Sequence, residues 1–90
     1  ADRLWRLPIA EAFADVELSL GLNWSRPGAL FRLSDRRQRA RCYEVVLREG
    51  TPADLLSYID GALLVDLWPE LVLPRELRAA WQPTIDAATA

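Results

Sequence analysis

Ser34 to Trp68 runs SDRRQRARCYEVVLREGTPADLLSYIDGALLVDLW, and its punctuation sets the fold class. Ser34 stands where a side-chain oxygen caps a helix, and Asp35 adds an acid beside the positive end of the helix dipole. Ala40, Tyr43, Val46 and Leu47 recur at helical spacing and make an apolar stripe. Arg37, Arg41, Glu44 and Arg48 line the opposite side, with Glu44 and Arg48 at the favourable i,i+4 spacing. Gly50 follows, a residue type common just past a helix end. Thr51-Pro52 then opens a second helix, Thr51 as cap and Pro52 as first residue, with Asp54 completing a short-armed capping box. Leu55, Leu56, Ile59, Ala62, Leu63 and Leu67 predict that this helix runs from 52 to 67 and is central.

Outward from this pair the signals weaken. Leu4, Trp5, Ile9, Phe13 and Val16 have helical spacing. Pro8 lacks the N–H that a helix interior needs, so the helix is expected at about 8–15 with Trp5 packing ahead of it. Val16, Leu18 and Leu20 alternate with polar residues, as a half-buried strand does. Asn23 to Gly28 is a loop, and Ala29 to Leu33 is a candidate second strand. On the other side, Pro69 stops the second helix, and Pro74 starts a last one near 74–82 with Leu77, Ala80 and Trp81 inward, until Pro83 breaks it. The expected fold is mainly α: a compact bundle of about four helices with at most a small two-stranded β element. Tyr43, Leu47, Leu55, Ile59, Leu63 and Trp81 are its expected core.

Ninety residues make one domain, here a single helical interaction domain over 1–90. With 51% apolar and 27% charged residues the chain is ordinary globular protein. No apolar run reaches the roughly 20 residues of a membrane span, and no signal-peptide pattern opens the chain. A lone cysteine, Cys42, fits a reducing compartment, so a cytoplasmic location is expected. Every basic residue is arginine, as a GC-rich genome favours. The chain holds no methionine and opens on Ala1, as expected of a piece of a longer protein.

Histidine, the commonest general base and metal ligand, is absent, and one cysteine does not make a zinc site. The glycines are isolated, so no phosphate loop is present. Asp54, Asp60 and Asp66 share the expected central helix. Spacings of six residues set them about 240° apart at 100° per residue, and they do not converge. Cys42 has Arg39 and Arg41 beside it, which favours a thiolate, but its place at the edge of the apolar stripe makes it a half-buried small hydrophobe. The four tryptophans are core material, Trp24 being the best candidate for an exposed contact. No catalysis, cofactor, metal or small-molecule substrate is therefore expected.

What remains is interaction. Arg26 to Arg48 carries seven arginines against Asp35 and Glu44, a net of +5; Glu49 to Glu76 carries six acids against Arg75, a net of -5. Arg36, Arg37, Arg39 and Arg41 either pair with acids, of the chain itself or of a partner protein, or follow nucleic-acid phosphates. A helix-turn-helix pivoting at Gly50 fails on charge, since its second helix would carry Asp54, Asp60 and Asp66 toward phosphate. Trp68, Leu71, Val72 and Leu73 lie in or beside loops, where burial is hard to arrange. With the two charged segments as a complementary rim they suggest a homodimer.

The stretch LSDRRQRARCYEVVLREGTPADLLSYIDGALLVDLWPELVLP, within Leu30 to Trp81, resembles the region downstream of the DNA-binding domain in actinobacterial helix-turn-helix regulators of the XRE type. Some of these look like antitoxins encoded beside nucleotidyltransferase-like partners. The helix-turn-helix itself is not present here, and no family site residue maps onto this chain. The resemblance implies a non-DNA-binding half, whose role is dimerisation or holding a protein partner, with nucleic acid met through a domain that this sequence lacks.

Overall fold

The long amphipathic helix expected after Ser34 is α2, Arg36–Glu49. The computed structural model describes residues 5–18 and 30–89. Ahead of α2 lie α1, Ile9–Ala12, and an antiparallel hairpin of β1, Asp15–Glu17, and β2, Leu30–Arg32, with Val16 opposite Phe31. After it come α3, Pro52–Tyr58; α4, Gly61–Leu67; a 3-10 turn, Trp68–Glu70; and α5, Arg75–Thr89. The fold is the expected one, mainly helical with a single small two-stranded sheet. Among the described residues no helix is long and apolar enough to cross a membrane. Trp24, the Asn23–Gly28 loop and the Leu20 end of the first expected strand lie outside the described residues.

Four boundaries differ from expectation, each for a local reason. The first helix stops at Ala12, because Ala14 gives its carbonyl to Leu33 N–H (3.1 Å) and the chain turns into the hairpin. The cap of α2 is Asp35, not Ser34: its carboxylate accepts from Gln38 N–H at 3.1 Å. The helix expected over 52–67 is two helices, parted at Ile59 and Asp60, both of which are extended. Finally, α5 runs through Pro83 to Thr89. The proline forfeits one backbone bond, yet the helix continues past it and buries Ile85. The capping box at Thr51 and Asp54 forms as expected, with Thr51 N–H to Asp54 Oδ2 at 2.8 Å.

Tyr43, Leu47 and Ile59 are buried as expected, with Cys42, Val46, Leu64 and Leu67 around them. Leu55, Leu63 and Trp81 are only half-buried, packed against this core. Trp5 docks as an arm: its ring lies 6.5 Å from Trp81, its indole N–H donates to the Ile59 carbonyl, and its own carbonyl accepts from Gly61 N–H at 2.8 Å.

Gly50 is needed for space and not for a left-handed backbone, since its φ is -83°. A Cβ there would lie 2.6 Å from the Val46 carbonyl oxygen and 3.1 Å from Asp54 Cβ. Gly50→Ala should therefore cost about 1–3 kcal/mol, as overpacking does. The entropic gain that alanine usually brings at a compatible site is smaller, about 0.4–1 kcal/mol. Urea denaturation checks this; an unchanged midpoint contradicts it.

Candidate functional site

The four arginines of the cluster do not form one surface, because successive residues of a helix turn by 100°. Arg36, at the start of α2, reaches across to the acidic half of the chain. Its guanidinium holds Asp66 of α4 and Glu70 of the 3-10 turn, with Nε to Glu70 Oε2 at 3.1 Å and a further bond to the Asp66 carbonyl at 3.3 Å. Glu70, then Asp66, raise the pKa of Arg36, and Arg36 in turn holds Glu70 below the ordinary carboxylate range. Part of the charge asymmetry in the sequence is thus closed within the chain.

Arg39 points the other way. It lies three, four and seven residues before Cys42, Tyr43 and Val46, in the middle of the inward face, and is buried. Its Nη1 donates to the Leu33 carbonyl at 2.8 Å. The i+3, i+4, i+7 spacing was visible in the sequence, but the charge made Arg39 look like surface.

Arg37 and Arg41 remain on the outward face of α2, exposed, in line with exposed Arg48. Glu44 stands among them, yet it does not pair with Arg48 as the i,i+4 spacing suggests. Its Oε2 accepts from Val72 N–H at 2.8 Å, while Arg48 Nε turns to the Glu44 backbone carbonyl at 3.3 Å. That bond moors the segment after the 3-10 turn beside the arginine face, with the Val72 side chain 78% exposed.

The other expected dimer contacts are corrected here. Trp68 and Leu71 are buried inside the chain. The Trp68 indole N–H donates to Gln82 Oε1 at 3.1 Å, and Arg78 of α5 lies over its ring, Cζ 4.7 Å from the centroid. Arg78 also donates to the carbonyls of Trp68 (3.3 Å) and Leu71, so the supposed loop is pinned under α5. Leu73 is half-buried. Of the four residues, Val72 alone stands fully at the surface.

Cys42 and the three aspartates are occupied structurally. Burial pushes the Cys42 thiol up to about 12, far from a reactive thiolate. Asp54 serves the capping box and Asp66 holds Arg36. Asp60 has 0% exposure. Its carboxylate caps α4 at Leu63 N–H (3.1 Å) and accepts from Leu7 N–H (2.8 Å) and Arg6 Nε (2.9 Å). Its own N–H donates to the Tyr43 hydroxyl at 3.0 Å. Burial alone would raise its pKa, but the bonds from Leu7, Arg6 and Leu63 outweigh it and hold the carboxyl below the ordinary value. Among the described residues no three His, Cys, Asp or Glu side chains gather as a metal site would need.

Arg37, Arg41 and Arg48 on the outward face of α2, with Val72 tied to Glu44 of that face, form the candidate contact surface. Comparison of the chain with family models, with curated proteins and with solved structures finds no match.

Proposed function

We propose that this chain is a non-catalytic protein-interaction module that pairs with a second copy of itself, as the partner-binding half of a transcriptional or antitoxin-type regulator of the XRE kind would. One observation carries the reading. Arg36 is neutralised inside the chain, while Arg37, Arg41 and Arg48 stay exposed on the outward face of α2, where Glu44 holds the backbone of the exposed Val72. An apolar contact beside cations that hold no carboxylate among the described residues suits an acidic protein surface. The chain carries exposed acids that could meet it, Glu76 and Asp86 of α5 among them. Cys42 and Asp60, the groups closest to catalytic chemistry in the sequence, both serve the fold, which favours binding over turnover.

Direct nucleic-acid binding is the second reading, favoured by three arginines along one helix face. Glu44 interrupts that face and Asp35 and Glu49 flank it. Three phosphate contacts also give only a shallow salt dependence. Sedimentation equilibrium in moderate salt, with a duplex-DNA titration beside it, separates the two. We expect a dimer at about 100 micromolar, weakened at least about tenfold by Arg41→Glu or Val72→Asp. A monomer at that concentration overturns the first reading. Sub-micromolar DNA binding that is lost with Arg37→Gln and Arg41→Gln establishes the second.

A further inference from the structure

Three exposed arginines of this chain hold carboxylates, while the buried one holds none among the described residues. Arg6, Arg32 and Arg36, all well exposed, each hold a carboxylate: Asp60, Asp15, and Asp66 with Glu70. Arg39, 6% exposed, holds none among the described residues. Its neighbours are a neutral carbonyl, that of Leu33, and the face of the Phe13 ring, 5.6 Å from Cζ. Its Nε is fully buried and has no acceptor among the described residues. A guanidinium taken out of water is unfavourable unless an anion or a full set of acceptors replaces the water. One carbonyl and one ring quadrupole do so only in part. The site is one anionic acceptor short.

The ring over the guanidinium is itself open to solvent. Phe13 follows the four-residue α1, is 41% exposed and is not among the side chains packed on the core. Ile9, four residues before it and so on the same side of the helix, is 77% exposed. A buried cation beneath two exposed apolar side chains matches a partner that brings a carboxylate between apolar groups. A free inorganic anion would gain nothing from the rim, and a nucleic-acid backbone would meet one cation under hydrocarbon.

We propose that Phe13 is a cover over Arg39, and that a partner segment bearing an Asp or Glu flanked by apolar side chains docks here. Phe13 turns outward to pack on the partner's apolar residues, and the incoming carboxylate takes the two-pronged Nε and Nη edge of the guanidinium. This surface lies on the opposite side of α2 from Arg37, Arg41 and Arg48, and it serves a different partner from the second copy.

A matched pair of blocked peptides tests it on the full chain: acetyl-Leu-Glu-Leu-Leu-amide and the same peptide with Gln for Glu. Calorimetry gives affinity, and the Nε–H resonance of Arg39 reports contact at the site. The Glu peptide should move that resonance and bind at least about tenfold more tightly than the Gln peptide. Phe13→Ala should lose a similar factor, and Arg39→Met should lose the preference for Glu. Arg37→Gln and Arg41→Gln should change neither, which separates this site from the self-pairing face. Should Arg39→Met fail to fold, the peptide pair on the unaltered chain and Phe13→Ala still decide. Equal binding of the two peptides, or an Arg39 resonance unmoved at about 10 mM Glu peptide, overturns the proposal.

Discussion

Asp60→Ala should cost about 3–5 kcal/mol, the scale for breaking a buried charged network. That is a large share of the about 5–15 kcal/mol that holds a domain together. The residue joins three parts of the fold. Its carboxylate caps α4 through Leu63 and ties down the arm at Arg6 and Leu7, while its N–H meets Tyr43 of α2. Alanine leaves the N–H groups of Leu7 and Leu63 without their acceptor and frees Trp5 to lift from Ile59 and Trp81. Asp60→Asn keeps the shape and one acceptor oxygen, and should cost roughly half as much. The pH dependence has a definite sign. A carboxyl whose folded pKa is depressed contributes stability that is complete above its unfolded pKa, about 3.9, and is lost as pH falls through the lower folded value. Wild type should therefore lose more stability than Asp60→Asn on descending from about pH 4 to pH 2. Glu70, held low by Arg36, titrates in the same direction in both proteins. Denaturant titrations across that range measure both effects. A cost under about 1 kcal/mol for Asp60→Ala, or parallel acid profiles for wild type and Asp60→Asn, would remove Asp60 from this role.

Leu64→Ala should destabilise the chain by about 2–5 kcal/mol, and Leu63→Ala by clearly less. The order depends on the break at Ile59-Asp60. In one continuous helix over 52–67, Leu55, Ile59 and Leu63 would share the inward face at i,i+4 spacing. With the helix restarted at Gly61, the inward face of α4 is Gly61, Leu64 and Leu67, and Leu64 has no exposure left. Leu63 is only half-buried. Thermal and urea melts of the two variants rank them. Leu63→Ala as the more damaging change would mean that the two helices are one.

The helix pair was legible because caps and glycine are local signals: the Thr51 box and the stop at Gly50 depend on no distant residue. The break at Asp60 left a trace in the Asp-Gly dipeptide, a cap residue before a poor helix former. Its cause is distant, however, since Asp60 is satisfied by Arg6 and Leu7, more than fifty positions away. Arg39 was hidden by its charge, although its spacing to Tyr43 and Val46 places it inward. Trp68 and Leu71 looked exposed because they lie in or beside loops, but they join the core cluster, with Arg78 and Gln82 of α5 bonded over them. Of the proposed interaction face, the arginines could be read from α2 alone. Their adjacency to Val72 rests on one bond, Val72 N–H to Glu44, between residues 28 apart.

The most direct test of that face is a dilution series of amide and arginine side-chain NMR spectra on the unaltered chain. We expect shifts between about 1 mM and 10 micromolar to concentrate on Arg37, Arg41, Arg48 and Val72, with exposed acids of the second copy, such as Glu76, responding as well. Spectra that do not change with concentration, or changes centred on other residues, would contradict self-pairing through the outward face of α2.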